Sequence, residues 1–233
     1  MNEEIKKIIN QGIDLLPSSA VLVMHHITDP PKFTRSNCKL STKNFIRFIQ
    51  DYNNYDYLED VVQHPWRGKI ALTFDDGLED VYTVAYPFLS KYKIPFTIFI
   101  VTDYLDKSGY ITTKQLKQLG QDSLVTIGAH GVTHKVLTTL SENDKLIELN
   151  QSKIILENII QKDVNLYAYS HGLVDKKTTK LMGGYHYGFV VYDKKLNCIT
   201  AHNKYRIPRY NVENATIVDV RKSLCFMRHG NEY

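Results

Sequence analysis

Two short segments hold residues whose types and spacing can do chemistry. The first is Leu72-Thr73-Phe74-Asp75-Asp76-Gly77, with two adjacent carboxylates directly after an apolar run. On a strand, neighbouring side chains point to opposite faces, but Gly77 permits a turn that brings both into one cleft. Two carboxylates so close repel unless a cation neutralises one, which leaves the other free to accept a proton. The competing reading is helix capping, with Asp75 or Asp76 stabilising a helix that starts near Glu79. The second segment is Ile127-Gly128-Ala129-His130-Gly131-Val132-Thr133-His134. Two histidines four apart lie on one side of a helical turn, a spacing that chelates metal. Structural or solvated histidines are the competing reading here. One carboxylate with two imidazoles suits zinc or a similar divalent metal and leaves positions open for water and substrate.

Positioning these groups is the task of an alternating pattern of strands and helices. Apolar runs at Ala20–Met24, Ile70–Phe74, 96–101, 124–127, 165–169 and 187–192 are rich in β-branched and aromatic residues and read as buried strands. Helical patterns fall at 79–92, at 113–119 with Thr112 or Thr113 as cap, and at 142–161. In the last, Ser141 is an N-cap with Asp144 three residues on, and Leu146, Leu149, Leu156, Ile159 and Ile160 share a face. Such alternation predicts an α/β fold with a mostly parallel sheet, wide enough for a barrel. Functional residues of such barrels gather at the C-terminal ends of strands. His25, His26, Asp75, Asp76, His130, Ser170 and His171 all follow predicted strands.

Composition narrows the classes. The chain has 233 residues, 43% hydrophobic and 23% charged, and nothing divides it, so a single domain over 1–233 is expected. The net charge of +4 comes from interleaved residues with no basic block, which argues against nucleic acid as a partner. Three widely spaced cysteines, Cys38, Cys198 and Cys225, make no Cys-x-x-Cys and suit a reducing compartment. No signal-peptide core or membrane-spanning apolar run is visible, so a cytoplasmic location is expected.

The motifs together resemble the polysaccharide deacetylases, the NodB-homology or carbohydrate esterase family 4 group. TFDDG and GAHGVTH are similar to the family's first two motifs. Tyr167-Ala168-Tyr169-Ser170-His171-Gly172 is similar to the third, and Arg206-Ile207-Pro208-Arg209 to a late arginine-containing strand. Val21-Leu22-Val23-Met24-His25-His26-Ile27 resembles the opening of a permuted branch that includes poly-N-acetylglucosamine deacetylases. The likeness runs from residue 20 to residue 212. Its implied fold is a distorted (β/α) barrel of about seven strands. Four departures stand out: Met24 for the usual Tyr, Gly131 for Ser or Thr, Ser170 for Pro, and no Arg in the third motif.

Carried over by position, the resemblance implies Asp75 as general base and Asp76, His130 and His134 as ligands of a divalent metal, Zn²⁺ by preference. It implies His25 as general acid, with His26 as the other candidate. Arg209 is either the partner of Asp75, replacing the missing arginine, or a surface cation. Tyr169 either lines the pocket, with its backbone N–H facing an oxyanion, or is a core tyrosine. His171 is a substrate contact or a solvated loop residue, and His64, His186, His202 and His229 are structural. The implied reaction is removal of an N-acetyl or related acyl group from an amino sugar. A cytoplasmic enzyme would meet nucleotide- or lipid-linked glycan intermediates during surface polysaccharide synthesis. An O-acetyl esterase with the same metal site and an inactive carbohydrate-binding homologue are the alternatives.

Overall fold

The computed structural model describes residues 19–29, 39–191 and 203–212. The three cysteines, Tyr192, His202 and His229 lie outside the described residues. Seven parallel strands close into a barrel in the order β1 (Ala20–Met24), β4 (Ile70–Phe74), β5 (Phe96–Ile100), β6 (Val125–Ala129), β7 (Leu166–Ala168), β8 (Tyr187–Val191) and β9 (Ile207–Asn211). The closing pair is β1 with β9, Leu22 opposite Tyr210. A small parallel pair, β2 (His26–Ile27) and β3 (Lys39–Leu40), sits beside the barrel sheet. The helices are α1 (Thr42–Asp51), α2 (Leu58–Gln63), α3 (Tyr86–Lys91), α4 (Thr113–Gln121), α5 (Glu142–Ile160) and α6 (Lys176–Lys180).

Strand alternation divides the core in two. Inward residues Val21, Ala71, Phe99, Leu166, Ala168, Phe189 and Ile207 pack together with Leu58, Val61 and Val62 of α2. These inward residues include the early positions of β1, β4, β7 and β9, so α2 plugs the N-terminal end of the barrel. Outward residues such as Leu22, Leu72, Ile98 and Tyr167 pack with Leu116, Leu119, Leu149 and Leu156 of the surrounding helices. The C-terminal end is thereby left for chemistry.

Local signals explain several elements. Thr112 and Gln115 form a reciprocal capping box at the start of α4, and the Ser141 hydroxyl accepts from the Asp144 N–H at the start of α5. The helix expected at 79–92 is present over 79–91, with a wide π turn at Val81–Ala85 leading directly into α3. Pro87 lies just beyond that turn and has no N–H to give to the regular helical ladder. Helices α1 and α2 have no counterpart among the sequence-based expectations. Among the described residues no helix is long and apolar enough to cross a membrane.

Candidate functional site

The parallel strands deliver His25, Asp75, Asp76 and His130 to one mouth, each just past a strand end. The β1–β4 register pairs Met24 with Phe74, which sets His25 beside Asp75. Asp76 and Gly77 both adopt left-handed backbone, φ 71° and 72°. That double turn lets two neighbouring carboxylates face the same cleft. A Cβ at Gly77 would also stand 3.1 Å from the Ile100 side chain, and the left-handed φ strains any residue that carries one.

Neither aspartate caps a helix. Asp75 is buried and held at both oxygens by Arg209, whose NH1 donates to Oδ1 at 2.6 Å and NH2 to Oδ2 at 2.7 Å. Arg209 is itself buried, donates to Thr73 Oγ1 at 3.2 Å and lies 5.1 Å from the Phe99 ring centre. Of the two expectations for Arg209, the ion pair is the one observed. Burial alone would raise the pKa of Asp75; the Arg209 charge, then His130 and the Arg209 hydrogen bonds, outweigh it and hold it below the usual carboxylate range.

Asp76 Oδ1 lies 3.5 Å from His130 Nε2 and 3.3 Å from His134 Nε2. The three ligand atoms are all within 4.8 Å of one another. His130 Nδ1 is 2.7 Å from the carbonyl oxygen of Ala168, which can only accept. That nitrogen therefore carries the proton, and Nε2 turns a lone pair towards Asp76. Burial and the neighbouring His130 lower the pKa of His134 to about 4 against the opposing pull of Asp76, so His134 is neutral at pH 7. Asp76 is held below the usual carboxylate range: burial raises it, but the surrounding imidazoles, His130 first and then His25 and His134, favour its ionised form.

The result is an ionised oxygen facing two imidazole nitrogens. Asp76 Oδ1 is buried with no hydrogen-bond donor, a costly state for a carboxylate oxygen. A divalent cation resolves it, and one carboxylate with two imidazoles is a borderline-metal donor set with room for further ligands. The residues present fit such an ion.

Two expectations need correcting. His130 and His134 do not lie on a helical turn. A bent loop joins them, with Gly131 at φ 85° and His134 at φ 63°, and their ring centres are 4.9 Å apart. Tyr169 does not offer its backbone to the cleft. Its N–H donates to Phe189 O at 3.0 Å, because residue 169 continues the ladder between β7 and β8. Its side chain is buried in the outer core and its hydroxyl donates to Tyr205 O.

The remaining histidines sort themselves. His25 is half-buried, and its charge lowers the pKa of both aspartates. His26 Nδ1 pairs with Asp80 Oδ2 at 2.8 Å. His171, at φ 58°, places its ring centre 4.7 Å from that of His134. Tyr104 lies 6.1 Å from His134 and 4.6 Å from Tyr110 by ring centres. These two tyrosines sit in the loop from β5 to α4, and sequence reasoning did not single them out. Their place after a barrel strand was the available signal.

Comparison with known proteins follows from this geometry. The sequence profile described as polysaccharide deacetylase matches residues 63–190. The chain is 33% identical over 158 residues to the poly-beta-1,6-N-acetyl-D-glucosamine N-deacetylase of Staphylococcus aureus, covering 60% of this chain and 53% of that protein. It is 30% identical over 111 residues to the Bacillus subtilis protein YxkH, covering 48% of this chain and 39% of that one. The chain thus spans about half or less of the length of these relatives. The crystal structure of BC0361, a polysaccharide deacetylase from Bacillus cereus, superposes with a TM-score of 0.77 at 22% identity, over 89% of this chain and 69% of that one. That last likeness concerns the fold.

Proposed function

This chain belongs to the polysaccharide deacetylase family, and from that premise we propose that it is a metal-dependent hydrolase that removes N-acetyl groups from amino sugars of a glycan. One observation carries the proposal: a buried Asp76 oxygen without a donor faces two imidazole nitrogens, next to an aspartate clamped by a buried arginine. Asp76, His130 and His134 hold the ion, with zinc as the metal the donor set favours. A divalent cation there supplies Lewis acidity towards water and an acyl carbonyl.

The chain's own groups supply the rest. Asp75 takes the proton of the attacking water. Arg209 keeps that carboxylate ionised and fixes both of its oxygens, so it meets water in one orientation. His25, at the end of the neighbouring strand, protonates the leaving amine, which departs poorly as an anion. His171, Tyr104 and Tyr110 offer ring faces at the rim, where a sugar would stack.

The likeness to the Staphylococcus aureus enzyme supports an N-acetylglucosamine glycan as the substrate class. Nucleotide- or lipid-linked precursors, and a cytoplasmic location, form the finer part of the proposal and rest on the cysteine usage and composition.

Metal content and acetate release test the reading together. The full chain is stripped with chelator, reloaded with Zn²⁺, and given an N-acetylglucosamine oligosaccharide, a nucleotide-linked N-acetyl sugar and a sugar O-acetyl ester. One bound ion per chain, acetate from an amide substrate, and loss of both in His130→Ala and His134→Ala are expected. No ion in the unaltered protein, or acetate from the ester alone, overturns the N-deacetylase reading.

A further inference from the structure

Helix α5 carries an acidic residue where an apolar one would be expected. Glu148 is only 4% exposed, and buried carboxylates are rare unless they have partners. Its partners all come from one place. Oε2 accepts the N–H groups of Val132 at 2.7 Å and Thr133 at 3.0 Å, and Oε1 accepts the Thr133 hydroxyl. Every one of these donors lies between His130 and His134.

Loop and helix are also shaped against each other. A Cβ on Gly131 would stand 2.7 Å from Glu148 Oε2, and Gly131 is in the left-handed region at φ 85°. His134, at φ 63°, holds an unfavourable conformation for a residue with a side chain, and such backbone persists only where surroundings enforce it. The loop's carbonyls are tied on the other side, Gly131 O by Thr102 N–H and Val132 O by Asp103 N–H. Glu148 supplies the matching anchor for its N–H groups.

We propose that Glu148 is a positioning residue for His134. By clamping residues 132 and 133 it sets where His134 Nε2 points, and thus whether it meets Asp76 Oδ1 and His130 Nε2 around one ion. The inference rests on the reading of Asp76, His130 and His134 as a cation site.

Cobalt serves as the probe, because its absorption reports ligand geometry without turnover. Co²⁺ is titrated into the metal-free full chain, into Glu148→Gln and into Thr133→Val, and cooperative thermal unfolding of each metal-free protein is recorded. Substitution of such outer partners typically weakens metal binding ~10–100-fold. Glu148→Gln is expected to fall in that range with an altered Co²⁺ spectrum while the metal-free protein still unfolds cooperatively. Thr133→Val, which removes one contact and keeps the shape, is expected to shift the spectrum with a smaller loss of affinity. It decides the matter if Glu148→Gln does not fold. Wild-type affinity and spectrum in the variants overturn the positioning role, whatever their thermal stability. Failure of the unaltered protein to bind Co²⁺ overturns the cation site itself, and is recognised because it precedes any substitution.

Discussion

Replacing Arg209 with methionine isolates the buried charge pair on which the proposed chemistry depends. Both partners are inaccessible, with side chains 0% and 3% exposed, so solvent does not screen the interaction. Removal leaves Asp75 buried with no guanidinium on either oxygen, a loss that costs about 3–5 kcal/mol. For a chain of this length each kcal/mol lowers Tm by ~2–4 °C, so a fall of ~6–20 °C is expected. The sign of the pH dependence reverses as well. In the wild type, Arg209 holds the folded pKa of Asp75 below its unfolded value. That contribution is present above the unfolded pKa and lost as pH falls through the folded one. Without Arg209, burial dominates and lifts the folded pKa above the unfolded value. The variant's deficit should therefore shrink as pH falls and Asp75 becomes neutral. Urea denaturation of Arg209→Met, Asp75→Asn and the double variant reads the coupling. The double variant should be more stable than either single one, because each single change strands a buried charge. A penalty below ~1 kcal/mol at pH 7, or a double variant as weak as the sum of the two, refutes the reasoning.

Three further outcomes are expected. Asp75→Asn should bind metal with near wild-type affinity but lose ~10²–10⁴-fold in kcat, as for removal of an acid–base group; acetate release and metal titration measure the two separately. The metal-free protein should lose stability as pH falls from 6.5 towards 4, because the unfolded chain protonates His134 in that window while the folded chain does not; thermal unfolding across pH checks this, and His134→Gln should flatten the slope. Gly128→Ala would put a Cβ 2.4 Å from the Phe99 ring and should cost about 1–3 kcal/mol by overpacking. Because Phe99 lies against Arg209, its kcat should fall as well.

Much of the site was legible in the chain. Asp75, Asp76, His130 and His134 are marked by residue type and short spacing, and the alternating runs placed them past strand ends. The barrel followed from the same alternation, since parallel strands joined by helices have few ways to bury both faces. Strand runs such as Ala20–Met24 and Ile70–Phe74 end where the apolar pattern ends. Less visible was α5. Its buried stripe is Lys145, Glu148, Leu149, Ser152, Leu156 and Ile160, half of it polar, so a search for apolar periodicity passes over Glu148.

Tertiary structure alone decided how the marked residues relate. The Arg209–Asp75 pair spans 134 positions, and only closure of β9 onto β1 brings the two together. Strand register took the Tyr169 N–H into the β7–β8 ladder and away from the cleft. A loop with left-handed turns at Gly131 and His134, rather than a helical turn, brings the two imidazoles to one aspartate. Residue type and local spacing determine which groups can do chemistry, because those properties belong to the side chains themselves. Orientation, protonation state and the partners of buried charge come from contacts between distant segments, and these exist only once the barrel has closed.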